Sequence, residues 1–196
     1  MTQQIQTHIQ VDYQNRDRAT SFFRPLLVLP VAFFLMMFNQ LSHWGFSTVA
    51  LTLPVVVSLL FRQSYPSWIL TFNHAILEFG TRAAAYALLL TDKYPTYEGN
   101  PTVAVIFPDV ENGKKLNRWL PIIKWILAIP LYLVGTIYLV LTTFVTIGAW
   151  FAILFTGNFP TWAANVSIGT MRFWNRVYGY AIVLTTDEYP SFSLNK

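Results

Sequence analysis

Cysteine is absent from the 196 residues, which removes disulfides, thiolate metal ligands and cysteine nucleophiles together. Charge is scarce: Asp, Glu, Lys and Arg make up 11% of the chain, against about 25% in an average soluble domain. Hydrophobic residues reach 54% and the mean hydropathy is +0.43. A water-soluble globule of this length leaves roughly 30% of its unfolded surface in water, so the composition excludes that class. It excludes a disordered chain as well. The opening stretch MTQQIQTHIQVDYQNRDRAT contains no apolar h-region, so no secretory signal is expected.

Formal charge is missing altogether from two windows, Pro25 to Phe61 and Trp125 to Met171. One spanning helix needs about 20 apolar residues, and each window is far longer. The pattern predicts two helical hairpins, over 25–61 and 119–156. The first turn is expected at Asn39-Gln40-Leu41-Ser42-His43, the second near Gly135-Thr136 or Thr142-Thr143. Arg24 and Arg62 flank the first window and Arg118, Lys124 and Arg172 the second, whereas the turns carry no Lys or Arg. The positive-inside rule then places the flanks and both termini in the cytoplasm. Lys124, inside the apolar run, is expected to snorkel to the interface. Spanning and shallow re-entrant hairpins both stay open.

The chain repeats itself at a period near 95 to 100 residues. Leu29-Pro30 matches Ile129-Pro130, FRQSYPSW (Phe61 to Trp68) matches FTGNFPTW (Phe155 to Trp162), and Arg82 and Tyr86 match Arg176 and Tyr180. Thr91-Asp92-Lys93-Tyr94-Pro95 matches Thr186-Asp187-Glu188-Tyr189-Pro190. A short alternating segment precedes each hairpin, through Ile5, His8-Ile9, Val11 and Tyr13 and through Val103, Val105 and Phe107, as in half-buried strands. The fold expected is a mostly α integral membrane protein built by internal duplication, repeat 1 over 1–98 and repeat 2 over 99–196. Each repeat holds a strand, a transmembrane or re-entrant hairpin and a long interfacial amphipathic helix, over 67–90 and 161–184. The short cytoplasmic strands can pair.

The third helices carry a narrow polar stripe: His74, Glu78 and Arg82 in one, Asn165, Arg172 and Arg176 in the other. Spanning helices would bury these charges at roughly 2.5 to 3.5 kcal/mol each, which favours helices in the headgroup plane. Arg82, Arg172, Arg176 and Lys124 are therefore the candidates for binding anionic lipid headgroups. The paired T-D-x-Y-P motifs supply a second set, Asp92, Tyr94, Asp187 and Tyr189. The plainer reading makes Pro a helix stop, Tyr an interface anchor and Asp a turn former. The functional one sets Asp92 and Asp187 beside Arg82 and Arg176 around a headgroup.

These features resemble a bacterial membrane family known as domain of unknown function 4389. The resemblance rests on RWLPIIKWILAIP (Arg118 to Pro130), WFAILFTGNFP (Trp150 to Pro160) and the R-x-x-x-Y…TDEYP run from Arg176 to Pro190. It implies a bacterial inner membrane but no activity, cofactor or site.

His8, His43 and His74 share no metal-like spacing, and G-x-S-x-G, P-loop and H-E-x-x-H motifs are missing. No metal, cofactor or catalytic residue is expected. The aromatic load suits interface belts, and clustered cations are too few for nucleic acid. The function expected is a non-catalytic membrane scaffold or accessory subunit. It would meet anionic lipid, and a protein partner or further copies of itself, at the cytoplasmic face. A small oligomeric transporter or channel is the alternative, and a lipid-active enzyme a weaker one.

Overall fold

The computed structural model describes residues 4–40, 48–96 and 102–194, so Leu41, Ser42 and His43 of the first expected turn lie outside the described residues. Strand β1 (Gln6–Ile9) is followed by α1 (Arg18–Phe22), α2 (Arg24–Leu27), α3 (Leu29–Gln40), α4 (Thr48–Arg62) and α5 (Ser67–Ala87). Then come β2 (Val103–Ile106), a 3₁₀ turn (Glu111–Gly113), α6 (Leu120–Leu127), α7 (Ile129–Thr156), α8 (Thr161–Tyr178) and a π-helical turn (Gly179–Val183). The molecule is mostly helical, with one small sheet.

Local chemistry sets the helix starts. Asp17 caps α1, accepting from the Ala19 amide at 3.0 Å, and Asn117 accepts from the Trp119 amide at 2.9 Å in an Asx turn just ahead of α6. Pro25, Pro121 and Pro130 occupy first-turn positions of α2, α6 and α7, where a missing N–H costs nothing. Such prolines cannot continue a preceding helix, so the apolar runs begin as short, angled pieces.

The strands pair antiparallel, Thr7 opposite Val105 and Ile9 opposite Val103. Thr7, Val103 and Val105 are buried, and the sheet packs crosswise: β1 on α8 and β2 on α5. Beneath α8 lies α7. At its midpoint the Thr142 hydroxyl meets that of Thr170 at 2.8 Å, and farther along α8 Asn175 donates to the Thr7 hydroxyl at 2.9 Å. Three layers are thus stacked at the centre of the molecule: α7, α8 and the sheet.

The two halves interlock at their loops. After β1, Tyr13 O accepts from the Phe159 amide at 2.8 Å and the Arg16 amide donates to Gly157 O at 3.0 Å. After β2, Asn112 O accepts from the Tyr65 amide at 2.8 Å. Asn15 and Asn112 turn these loops in the left-handed region, at φ 54° and 55°, which Asn tolerates better than most residues. Each loop therefore seats on the Tyr/Phe-Pro turn of the other half.

The second expected hairpin is corrected. α7 runs unbroken for 28 residues, through both places where a turn was expected. Gly135 is a contact point, since a Cβ there would lie 2.6 Å from the Trp174 ring. Thr136 and Thr143 donate back to Tyr132 O and Leu139 O within the helix, which keeps small polar residues helical. Among the described residues, α7 alone is long and apolar enough to cross a membrane, with a mean hydropathy of 2.1 in its most apolar window. Near its end the second half carries one residue more than the first, Tyr180 to Leu184 against Tyr86 to Leu89. The π-helical turn absorbs it, and both halves then leave the helix through a left-handed leucine, Leu89 at φ 63° and Leu184 at φ 62°.

Candidate functional site

The left-handed leucines deliver each T-D pair to a buried cation. In the first half Arg24, 2% exposed, donates to Thr91 O at 3.0 Å and to Asp92 Oδ1 at 2.5 Å. Its guanidinium carbon lies 3.9 Å from the centre of the Tyr86 ring. In the second half Lys124, 0% exposed, donates to Thr186 O at 2.7 Å and stands 2.7 Å from Asp187 Oδ1, with Tyr180 5.2 Å away. The other carboxylate oxygens accept from the Asp17 amide at 3.4 Å and the Asn117 amide at 2.5 Å. Cation, aspartate, threonine carbonyl, tyrosine face and helix-start amide thus recur as one clasp in each half.

The halves differ in one cation. Arg16, buried, joins the first clasp: it donates to Leu89 O at 2.5 Å and pairs with Asp92 Oδ1 at 3.0 Å, while Asp12 stands 3.9 Å away. At the spacing that relates Asp17 to Asn117 and Arg24 to Lys124, the apolar Leu116 takes the corresponding place in the second half, buried in one cluster with Tyr65 and Leu184. The Tyr65 hydroxyl donates there to Val183 O at 2.6 Å. Burial pushes the Arg16 and Lys124 pKa values down, against the pull of their aspartates.

The structure places the expected headgroup candidates inside the protein's own contacts. Lys124 points inward to its clasp, where the sequence suggested snorkelling. Arg82 pairs with Glu78 at 3.0 Å and donates to Thr96 O at 3.3 Å. Arg176 donates to Ser193 O at 2.6 Å and lies 3.5 Å from Ser191 O. Arg82 and Arg176 therefore hold the segment after each Tyr-Pro. They do not partner Asp92 and Asp187, a correction to the functional reading of the T-D-x-Y-P motifs. The aspartates instead bind amides far away in sequence, and the local turn is closed by Thr91 and Thr186, which accept from the Lys93 and Glu188 amides. Tyr94 and Tyr189 are exposed, each with its ring edge on Tyr86 or Tyr180.

Arg172 and His74 guard the sheet. Thr7 and Val105 form a pair whose carbonyls point outward, because the ladder bond from the Gln10 amide to Thr102 O at 2.8 Å sets the alternate pairs as the hydrogen-bonded ones. Arg172 Nε donates to Thr7 O at 3.2 Å and His74 Nε2 meets Val105 O at 2.7 Å. Both edges of a two-stranded sheet are thereby occupied. Arg172 and Arg176 also line a cavity of about 520 Å³ with His8 and Tyr189.

The clasp cations were the residues the sequence reading missed as a pair. The signal was present, since Arg24 and Lys124 stand equally far ahead of Pro30 and Pro130. Asp17 and Asn117 do likewise. Chemically, each aspartate is filled with cationic and amide donors, which stabilises the charged carboxylate and suits it to holding elements together. Among the described residues, no group of His, Asp and Glu is placed to hold a metal ion.

No curated protein and no solved structure matches the chain. Residues 119–193, which run from the start of α6 through the second clasp and past its Tyr-Pro, match a family model. The family is described as Domain of unknown function (DUF4389), and the match covers the second half of the chain from α6 onward.

Proposed function

We propose that the protein is a non-catalytic membrane scaffold that lies in one leaflet on an apolar face and holds anionic lipid around its rim. The observation that carries this reading is the outer surface of α7, where Leu133, Ile137, Phe144 and Phe155 are 66%, 65%, 68% and 79% exposed. α3 adds Phe33 and Met36, and α6 adds Ile126. Each such side chain is worth roughly 1.5–3 kcal/mol when taken from water into an apolar phase. Exposed Trp68, Trp119 and Trp162 at helix starts suit an interfacial belt.

The orientation follows from the layers. α7 is about 42 Å long at 1.5 Å per residue, and its midpoint lies under α8 and the sheet. A perpendicular α7 would draw the exposed strand residues Gln6 and His8 into hydrocarbon, where polar groups are costly. Lying in the plane, α7 faces lipid while the sheet faces water. Both described chain ends then fall on the water side, Gln4 at Tyr189 and Ser193 at Arg176, in keeping with termini in one compartment. Exposed Arg18 sits at one end of α7, beside Gly157, and exposed Arg62 and Arg118 at the other. Those rim cations meet anionic headgroups at about 1 kcal/mol each. The sheet side is left to a protein partner.

Depth along α7 tests the reading. Spin labels at Ile137, Phe144 and Phe151, in vesicles containing anionic lipid, should report one shallow depth. A graded series passing through the bilayer centre would replace the in-plane seat with a spanning helix.

A further inference from the structure

Gln63 stands in the left-handed region at φ 49°, just past the end of α4, where its amide donates to Leu59 O at 3.1 Å. A helix that ends this way usually carries glycine there. The second half does so at the matching place: Gly157 has φ 73° and its amide donates to Ile153 O at 2.8 Å. A glutamine in this conformation is strained, and strain kept at one position points to a use for the side chain. The Gln63 side chain accepts from Arg118 Nε at 3.0 Å. Arg18, the counterpart of Arg118 one repeat earlier, lies against Gly157, which has no side chain to offer it.

Charge separates the two ends of α7 as well. Asp17 precedes Arg18, whereas Asn117 precedes Arg118. In the loop and helix end that meet at Gln63, exposed Arg62, Lys114, Lys115 and Arg118 stand against the exposed acids Asp109 and Glu111. Lys115 takes up Glu111, and the nearby Asp187 is neutralised by buried Lys124. Among the described residues, no carboxylate forms an ion pair with Arg62, Lys114 or Arg118. Exposed Phe61 precedes Arg62 and exposed Trp119 follows Arg118, and such rings favour the boundary between hydrocarbon and headgroups.

We propose that Arg118 binds the phosphate of an anionic phospholipid headgroup, with Arg62 and Lys114 adding charge, and that Gln63 is its positioning residue. Gln63 occupies the Nε edge of the guanidinium, which leaves the two terminal nitrogens for a bidentate phosphate. The flanking rings favour a phosphate carried by a lipid over a free one. The inference rests on the in-plane seat, which brings this rim to the headgroups.

The test separates orientation from stability. In neutral maltoside with equal phosphatidylglycerol and phosphatidylcholine, native mass spectrometry should show the wild type retaining phosphatidylglycerol in preference. Arg118→Gln should lower that preference about tenfold, the scale of a charge-assisted hydrogen bond. Gln63→Gly should lower it about threefold, the scale of one side chain left to be ordered on binding. Its unfolding temperature without lipid should hold or rise, because glycine suits the left-handed turn. Gln63→Glu would give Arg118 a carboxylate and should abolish the preference without loss of stability. Arg18→Gln should leave the preference nearly unchanged. A wild type without preference, or a Gln63→Glu variant that retains phosphatidylglycerol as the wild type does, would overturn the site. Gln63→Gly with lowered stability and an intact preference would make Gln63 merely structural and sink its positioning role. Equal losses from Arg18→Gln and Arg118→Gln would count against a built site in the same way. Inorganic phosphate should not displace the lipid; displacement would give the site to a free anion and overturn the lipid assignment. The α7 labels report on the seat separately. With the seat right and the site wrong, they show one shallow depth while every variant keeps the wild-type preference. With the seat wrong and the site right, they show a spanning gradient while Arg118→Gln still loses the lipid.

Discussion

Lys124 and Lys115 show how little a distance alone says about an ion pair. Lys124 stands 2.7 Å from Asp187 and Lys115 2.8 Å from Glu111. Only the first is buried; the Lys115 pair is about half exposed on both sides. Removing one partner of a buried pair strands the other charge, at about 3–5 kcal/mol. Exposed pairs contribute about 0.2–1 kcal/mol. Lys124→Met should therefore cost about 3 kcal/mol or more in a denaturant titration in detergent, and Lys115→Ala far less, because solvent screens its pair. Equal losses would show that the clasp is not what holds α6 to the second T-D turn.

The elements are joined by small residues placed where bulk cannot go. Gly135 lets the Trp174 ring close on α7, and Ala149 and Ala163 are buried in the same cluster between α7 and α8. Gly80, in contrast, faces open space. The two glycines should respond with opposite sign to the same change. Gly135→Ala should lose about 1–3 kcal/mol by overpacking. Gly80→Ala should gain up to about 1 kcal/mol from helix propensity. Thermal unfolding of both in one detergent checks the pair, and a loss at Gly80 would mean that α5 is packed there after all. The small residues of α7 also explain why its interior looked like a turn: Gly135-Thr136 and Thr142-Thr143 have turn composition, but Gly135 and Thr142 meet Trp174 and Thr170 on α8, while Thr136 and Thr143 bond back within α7.

The two halves are reciprocal across the whole molecule. β1 packs on α8, β2 on α5, and each loop seats on the other half's Tyr/Phe-Pro turn. Neither half buries its own strand. Residues 1–98 and 99–196 made as separate chains in one cell should therefore reassemble, with a tag on one retrieving the other, whereas each alone should aggregate or be degraded. Stable, monomeric single halves would contradict the interlock. The arrangement also sets the clasps at opposite ends of α7, since Lys124 precedes its start and Arg16 binds the residue after its end.

Much of this was legible in sequence. Apolar windows, prolines at helix starts, period-two strands and the T-D-x-Y-P repeat depend on composition and near-neighbour spacing, which local sterics and hydrophobic patterning translate directly. Helix α8 and the strands lie close to where those patterns put them. What the tertiary structure decided is which cation meets which carboxylate. Arg82 and Arg176 had the right charge for Asp92 and Asp187, but Arg24 and Lys124 reach them, because the left-handed leucines turn each T-D pair away from its own helix and toward the start of the apolar run. The unbroken course of α7 was likewise settled by contacts with α8. A glycine or threonine is a turn signal in isolation and a packing signal opposite a tryptophan, and only the folded chain supplies the tryptophan.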